Sequence, residues 1–255
     1  MTAPDAPFYL ERPDGARLAC RKRAGAGPGV LWLGGYRSDM AGTKAEALDA
    51  FCAARGQAFV RFDYFGHGQS DGDYRDGTIS RWLDDAVAAL EALTEGPQIL
   101  VGSSMGGWIA TLLALAAPAR VAGLVYIAPA PDFTEELMWK RFSPEIKKQI
   151  ETEGYYDEPS QYGPEPNRIT KALIEDGRRH LLLGGPIDIK APVRILQGMA
   201  DPDVPWRHAM RLAEALVLDD VEIVLTKAGD HRLSTPEDLA RLKSVLAALS
   251  DIKAA

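Results

Sequence analysis

Short apolar runs alternate with segments of helical periodicity along most of the chain. Each apolar run is bounded by glycine, proline or charged residues, which is typical of buried strands. The predicted strands are VLWLGG (30–35), AFVRFD (58–63), QILVGS (98–103), RVAGLVYIAPA (120–130), VRILQG (193–198) and VEIVLT (221–226). The predicted helices are residues 43–55, 78–94, 105–117, 206–218 and 236–249. This alternation predicts an α/β fold with a mostly parallel central sheet and helices on both faces.

Two stretches interrupt the alternation. Near the N-terminus, FYLER and RLACRKR flank Pro13-Asp14-Gly15, which predicts a hairpin and antiparallel pairing at one edge of the sheet. Residues 131–189 hold aromatic residues, mixed charges and several prolines but no clear strand. A segment of this length between two core strands favours a helical insertion over a loop. The predicted organisation is therefore a core of residues 1–130 and 190–255 with a helical lid insertion at 131–189.

The composition narrows the class of protein. Hydrophobic residues make up 46% and charged residues 25% of the 255 positions, as in ordinary soluble globular proteins. The net charge of −7 disfavours nucleic-acid binding, which depends on clustered lysine and arginine. The number and spacing of Cys20 and Cys52 indicate neither a disulfide framework nor a metal cluster, so a reducing, cytoplasmic location is expected. No uninterrupted apolar stretch predicts stable membrane insertion, and the N-terminus lacks a signal-peptide pattern.

Two adjacent serines lie at the junction of a predicted strand and a predicted helix, in ILVGSSMGGW (99–108). A nucleophile elbow has the pattern Gly-x-Ser-x-Gly at such a junction. Gly102 and Gly106 flank Ser104 at the required spacing, whereas valine and methionine flank Ser103. Ser104 is therefore the predicted nucleophile, and Ser103 a small residue of the turn.

A nucleophilic serine needs a histidine base and an orienting acid, which follow it in the chain in the order acid, then histidine. Among the four histidines only His231, directly after the last predicted strand, fits both order and placement. The acid should follow the strand at 193–198, where Asp201 and Asp203 both qualify by chemistry. Asp201 is preferred because it lies closer to the strand end, and Asp230 is a weaker third candidate.

The oxyanion formed by the attack requires two preorganised N–H donors. One is expected to be the backbone amide of Met105, directly after the nucleophile. The other should come from the loop after the strand VLWLGG. If Gly35 takes the place of the glycine in the usual His-Gly-x motif, the donor is the backbone amide of Tyr36. The missing histidine need not abolish function, because the donors are backbone groups.

The nucleophile elbow at Ser104, the turn with Asp201 and the loop with His231 follow one another in the order found in the α/β-hydrolase superfamily. The chain resembles this superfamily over nearly its whole length. DYFGHGQS (63–70) also resembles this superfamily's loop after the fourth strand, which is structural there, so His67 is expected to be structural. A narrower resemblance is to the mitochondrial abhydrolase-domain acyl-protein thioesterases, also known as mycophenolic acid acyl-glucuronide esterases. It is carried by GYRSDMAGTKA (35–45), RFDY (61–64), GPQILVGSS (96–104), GGW (106–108), VPW (204–206) and DHR (230–232).

This resemblance implies an α/β-hydrolase fold and removal of S-acyl groups from cysteine or cleavage of acyl glucuronides. The substrate is then a small molecule or an acylated protein, and Ser104, Asp201 and His231 correspond to the triad. No metal or organic cofactor is implied. The chain lacks the transit sequence of the mitochondrial members, so a bacterial cytoplasmic relative is expected.

Substrate recognition and competing functions depend on weaker signals. The candidates to bind a carboxylate such as a glucuronate are Arg37, directly after the predicted oxyanion donor Tyr36, and Arg178 or Arg179 in the insertion. Carbon–carbon bond hydrolases of meta-cleavage products share the fold and a Ser-Met-Gly-Gly elbow, so they stay an alternative. A ligand-binding protein with weak hydrolysis is a second alternative. Dehalogenases and epoxide hydrolases need an aspartate where this chain has Ser104.

Overall fold

The predicted strands assemble into an eight-stranded sheet. A computed structural model describes residues 6–159 and 166–251. The strands are β1 (Phe8–Glu11), β2 (Arg17–Arg23), β3 (Ala26–Leu33), β4 (Gln57–Phe62), β5 (Gln98–Ser103), β6 (Val121–Ile127), β7 (Tyr155–Glu158), β8 (Asn167–Thr170), β9 (Val193–Gly198) and β10 (Val221–Thr226). Their order in the sheet is β1-β2-β4-β3-β5-β6-β9-β10, while β7 and β8 pair with each other. The α/β-hydrolase fold class is confirmed.

The direction of one strand sets this sheet apart from a fully parallel one. The strand β2 runs antiparallel to both of its neighbours, β1 and β4, and the remaining neighbouring strands are parallel to one another. The tight turn at Pro13-Asp14-Gly15 allows β2 to fold back on β1, because Gly15 adopts a φ of 85° that few other residues accept. The predicted hairpin at the edge is therefore present.

Helices cover both faces of the sheet. They are α1 (Thr43–Arg55), α2 (Ile79–Leu93), α3 (Met105–Ala116), α4 (Pro144–Glu153), α5 (Lys171–Gly177), α6 (Trp206–Ala215) and α7 (Pro236–Ser250). Side chains of a strand alternate between faces, so Val30 and Trp32 of β3 pack with α1 and α7, while Leu31 and Leu33 pack with α2, α3 and α6. Helix α6 ends at Ala215, three residues earlier than predicted.

The cysteines lie in these two apolar layers. Cys20 belongs to the layer with α2 and α3, and Cys52 to the layer with α1 and α7, so the sheet separates them. Both thiols are free, and burial raises the pKa of each to about 12. They are inert apolar packing groups at neutral pH. Within residues 6–159 and 166–251, no helix combines the length and apolar character needed to cross a membrane.

The segment between β6 and β9 contains more than helices. It begins with a π-helical turn at Thr134–Met138 and continues through α4, an antiparallel ribbon of β7 and β8, and α5. The ribbon corrects the prediction that no strand occurs here. Each of its strands has only four residues, and Asp157 and Arg168 face each other and form two hydrogen bonds of 2.8 and 2.7 Å. A small apolar cluster of Phe142, Ile150, Ile169 and Ile174 joins helices and ribbon.

Candidate active site

The sharp turn between β5 and α3 places Ser104 at the carboxyl edge of the sheet. Ser104 has a φ of 54° and a ψ of −119°, a strained conformation for a residue with a side chain. Its amide donates to Ile127 O over 2.9 Å, and its carbonyl accepts from the amides of Gly107 and Ala130. A Cβ at Gly106 would overlap the carbonyl oxygens of β3 and the loop after it, which explains why glycine is needed there.

A continuous hydrogen-bond chain joins Ser104, His231 and Asp201. The Nε2 atom of His231 lies 3.1 Å from Ser104 Oγ, and Nδ1 lies 2.8 Å from Asp201 Oδ2. A carboxylate only accepts hydrogen bonds, so Nδ1 carries the proton and Nε2 is left to accept the serine proton. The three side chains come from the ends of β5, β9 and β10, neighbours or near neighbours in the sheet.

Three donors besides His231 hold the side chain of Asp201 in place. Its Oδ1 accepts from the backbone amides of Asp203 and Val204, each over 2.9 Å, and Oδ2 accepts from Gln197 Nε2 over 3.2 Å. The carboxylate has no solvent exposure. Gln197 was not among the predicted site residues, although a glutamine near the end of the apolar run VRILQG is a visible signal. Its amide group also donates to the carbonyl of Val204 and so fixes the acid turn.

The two other candidate acids have different partners. Asp230 Oδ1 accepts from the amide of Leu233 over 2.9 Å and closes the turn that carries His231. Asp203 lines the cleft beside the pair of Asp201 and His231, and ligand atoms of these three residues lie within 4.8 Å of one another. The His231–Asp201 hydrogen bond already occupies Nδ1, so the triad geometry accounts for this cluster without a metal ion.

The residues predicted to supply the oxyanion donors, Met105 and Tyr36, both lie in the cleft with Ser104. Met105 is the first residue of α3, so its amide has no acceptor within the helix. Gly35 approaches so closely that a Cβ on it would lie 3.4 Å from Ser104 Cβ, and Tyr36 follows at once. Both Met105 and Tyr36 line the same cleft as Ser104 and His231. The arrangement suits stabilisation of negative charge next to the serine.

The other three histidines have structural surroundings. His67 is 4% exposed and accepts a hydrogen bond from the Arg37 amide over 2.9 Å. His208 is also buried, with Nε2 2.6 Å from Pro131 O. His180 lies 2.7 Å from Ser80 Oγ, where it joins the segment between β6 and β9 to α2.

A cleft of about 960 Å³ opens above Ser104. One part of its wall is apolar and includes Ala130, Phe133, Leu137, Met138 and Val204. Another part is polar and includes Arg37, Ser38, Asp39, Thr43, Lys44, Arg232 and Ser234. The apolar wall comes largely from the segment after β6, which is the predicted lid insertion.

The cleft contains one of the three arginines predicted to bind a carboxylate. Arg37 lines it, with its guanidinium hydrogen-bonded to the Asn167 side chain and 4.7 Å from the centre of the Tyr74 ring. Arg178 and Arg179 are not among the described residues that line the cleft, which corrects the prediction for them.

Local ion pairs explain where the other two arginines lie. Arg178 pairs with Glu135 over 2.8 Å and Arg179 with Asp176 over 3.2 Å. The structure instead brings Lys44 and Arg141 to the cleft. Lys44 donates to the carbonyl of Arg232, and burial lowers the pKa of its ammonium to about 8.

Comparisons with known proteins agree with this geometry. Residues 40–169 match the family described as alpha/beta hydrolase fold. Over 235 residues the chain is 41% identical to the palmitoyl-protein thioesterase ABHD10, mitochondrial, of Bos taurus, covering 92% of this chain and 76% of that protein. The chain belongs to the α/β-hydrolase family. The Homo sapiens protein of the same name is 39% identical to this α/β-hydrolase, with the same coverage of both chains.

Two solved structures resemble this α/β-hydrolase closely. A putative hydrolase from Agrobacterium vitis S4 superimposes with a TM-score of 0.93 at 47% identity, covering 98% of this chain and 100% of that one. The alpha/beta hydrolase domain-containing protein 10 from mouse superimposes with a TM-score of 0.90 at 38% identity, covering 97% and 99% of the two chains. The likeness extends over the lid segment as well as the core.

Proposed function

We propose that this α/β-hydrolase is a serine hydrolase that cleaves acyl thioesters and esters through an acyl-enzyme intermediate. The observation that carries the proposal is the hydrogen-bond chain from Asp201 through His231 to Ser104 at a nucleophile elbow. The relatives named palmitoyl-protein thioesterase support a thioester as one substrate.

In the first half of the reaction, Ser104 Oγ attacks the acyl carbon while His231 Nε2 takes its proton. Negative charge then develops on the carbonyl oxygen, which the Met105 and Tyr36 amides bind in this proposal. Asp201 stabilises the imidazolium that forms. His231 next protonates the departing thiol or alcohol, and the acyl group stays on the serine.

In the second half, a water molecule takes the place of the leaving group. His231 removes its proton, and the hydroxide attacks the acyl-serine. The same two amides bind the second oxyanion. Release of the acid restores Ser104 with its proton, so each turnover needs only water and no cofactor.

The wall of the cleft suggests how the substrate lies. An acyl chain fits the apolar part with Phe133, Leu137 and Met138, and a polar leaving group fits the part with Lys44 and Ser234. A small molecule and an acylated protein both present such a group. Palmitoylated proteins are proposed as substrates because the relatives are named palmitoyl-protein thioesterases. The cytoplasmic location of this chain stays a prediction.

Arg37 is proposed to bind a carboxylate of acidic substrates such as acyl glucuronides. Its guanidinium reaches the cleft but already binds the Asn167 side chain, so the substrate would have to compete with that amide. The KM of Arg37→Ala for an acyl glucuronide tests this idea directly. An unchanged KM would remove Arg37 from the recognition of the substrate.

The first experiment is a hydrolysis panel of short and long p-nitrophenyl esters, acyl thioesters, an acyl glucuronide and a dienoate meta-cleavage product. It compares wild type with Ser104→Ala and, as a matched control, Ser103→Ala. Loss of the nucleophile should lower kcat by a factor on the order of 10⁶. Ser103→Ala should retain most activity, because its side chain takes no part in the hydrogen-bond chain.

Each outcome of the panel has a separate meaning. Turnover of esters or thioesters that disappears in Ser104→Ala supports the proposal and ranks the leaving groups. Turnover of the dienoate alone would favour the carbon–carbon hydrolase. Slow turnover of every substrate with tight retention of a ligand would favour a binding protein.

A further inference from the structure

Two neighbouring loops are joined directly behind the candidate oxyanion site. We call residues 34–42 the oxyanion loop and residues 63–72 the β4 loop. The Arg37 amide donates to His67 Nε2 over 2.9 Å, and the Met40 amide donates to Asp63 Oδ1 over 2.6 Å. We propose that His67 is a positioning residue that fixes the Tyr36 amide for the oxyanion. This inference rests on the proposed function.

The hydrogen bonds define the protonation state of His67. The Arg37 amide can only donate, so Nε2 is an unprotonated acceptor. The proton must lie on Nδ1, which donates to the Phe65 carbonyl over 3.0 Å. Burial, with a smaller contribution from the Arg37 guanidinium, lowers the pKa of His67 and keeps the ring neutral at neutral pH. A protonated ring would direct a second N–H at the Arg37 amide.

The imidazole is held rigidly against α2. Its ring packs edge-on against Trp82, with the ring centres 5.3 Å apart. The Phe65 carbonyl, which accepts the hydrogen bond from His67 Nδ1, also accepts one from Trp82 Nε1 over 3.1 Å. The Phe65 amide donates to Asp85 Oδ2 over 2.9 Å, and this carboxylate is fully buried on α2. His67 therefore transmits the position of a core helix to the oxyanion loop.

The hydrogen bond to His67 holds the Arg37 backbone in a strained conformation. Arg37 has a φ of 57°, a strained conformation for a non-glycine residue that persists only when its neighbours impose it. The peptide that His67 binds joins Tyr36 to Arg37. If Arg37 relaxes from its strained φ, the path of the oxyanion loop changes on both sides of this peptide, and the preceding Gly35–Tyr36 peptide, which carries the Tyr36 N–H, moves with it. A misplacement of about 1 Å at a reacting group can cost about 10²-fold in rate.

Three substitutions of His67 separate positioning from simple packing. In His67→Gln the side-chain oxygen reaches the place of Nε2 and can still accept from the Arg37 amide. In His67→Asn the shorter side chain cannot reach it, and His67→Phe fills the space without an acceptor. The matched control is Ser70→Ala in the same loop, because Ser70 bonds Ala19 and the Asp63 carbonyl and not the oxyanion loop.

The expected result is a fall in kcat of about 10- to 100-fold for His67→Asn and His67→Phe with little change in KM. The affinity for a trifluoromethyl ketone, which forms a tetrahedral oxyanion on the serine, should fall in parallel. His67→Gln should recover most of both quantities. Ser70→Ala should keep both, even where its Tm falls as far as that of the His67 variants.

Three results would overturn the inference, and the third is distinguishable from the first two because it also overturns the proposed function. One result is that the wild type shows Ser104-dependent turnover and all three His67 variants have the same kcat and inhibitor affinity as the wild type. This result would overturn the role of His67 and leave the proposed function in place. Parallel losses in His67→Gln and His67→Asn, matched by their loss of Tm, would do the same. A wild type without Ser104-dependent turnover would overturn the proposed function and, with it, this role.

Discussion

Strained backbone is concentrated around the candidate active site. The described non-glycine residues with positive φ are Arg37, Ser104, Ala128, Asp132 and Leu233. Arg37 directly follows the predicted oxyanion donor, Ser104 is the candidate nucleophile, and Leu233 lies two positions after His231. Ala128 directly follows β6, and Asp132 lies where the predicted lid insertion begins. Each such conformation costs about 1–3 kcal/mol. At Ser104 and Arg37, the backbone hydrogen bonds described above maintain the strained conformation.

The role of Asp201 is tested by replacing one carboxylate oxygen. In Asp201→Asn the side-chain oxygen can still accept from the Asp203 and Val204 amides, which places the NH₂ group toward His231 Nδ1. That nitrogen must then accept, so the proton moves to Nε2 and faces Ser104. We expect kcat to fall about 10⁴-fold, measured by steady-state kinetics. Thermal unfolding should show a smaller, separate loss of stability, because the new NH₂ group also faces the Nε2 donor of Gln197.

Asp203→Asn is the matched control for this prediction. Asp203 lines the cleft but does not provide the carboxylate bonded to His231, so its loss should cost less than about tenfold. A larger loss in Asp203→Asn than in Asp201→Asn would mean that the acid is assigned to the wrong residue.

At the scale of elements, the π-helical turn Thr134–Met138 brings two successive apolar side chains, Leu137 and Met138, to the cleft. Each methylene of substrate in contact with such a wall contributes about 0.8 kcal/mol, or about fourfold in kcat/KM. Leu137→Ala with Met138→Ala should therefore flatten the rise of kcat/KM with acyl-chain length. The measurement is a series of p-nitrophenyl esters of increasing length.

Ile146→Ala is the control for the apolar wall. Ile146 packs in the lid's own cluster and is not among the described residues that line the cleft. Its loss should lower lid stability and leave the dependence on chain length in place. The same flattening in both variants would show that lid stability, and not the wall, sets the preference.

Most core elements could be predicted because each carries its own periodic pattern, and these patterns were confirmed. The β7–β8 ribbon could not, because YYDE and NRIT have no alternation and depend on contacts that form only in the fold. One such contact is the hydrogen bond from Tyr36 Oη to the Arg168 carbonyl over 3.2 Å. Arg178 and Arg179 lie in ion pairs away from the cleft-lining residues. The Arg179–Asp176 pair spans three positions of the sequence, whereas the Arg178–Glu135 pair depends on packing between two distant parts of the segment.

At the scale of the whole molecule, the strand order makes the three triad candidates easier to predict than the residues that hold them in place. Ser104 and His231 are 127 positions apart, yet parallel strands deliver both to one edge of the sheet. The order of motifs therefore encoded the geometry. Gln197 and His67 act through hydrogen bonds to backbone and carboxylate atoms across loops. A polar residue at the end of an apolar run marks such a candidate in the sequence, but its partners follow no fixed spacing and are known only from the structure.

Acid sensitivity of the fold is expected from the buried His208. Burial, reinforced by Arg211, lowers its pKa below the ordinary value of 6.5. Below pH 6.5 the unfolded chain then binds a proton that the folded chain does not, so the free energy of unfolding falls as pH falls. Asp85 acts in the opposite direction, because burial raises its pKa to about 6 and stability from its protonation is lost as pH rises.

A difference measurement isolates His208, because Asp85 contributes equally to wild type and variant. His208→Gln can still donate to the Pro131 carbonyl but does not titrate. Urea unfolding at pH 8, 6.5 and 5 should show the stability advantage of wild type over His208→Gln shrinking toward pH 5, by up to about 1.4 kcal/mol per unit of lowered pKa. The control Thr111→Val removes a buried hydroxyl that does not titrate, so its difference from wild type should stay constant over this range. A constant difference for His208→Gln as well would show that His208 takes up its proton equally in the folded and unfolded chain, and the acid sensitivity would have to arise elsewhere.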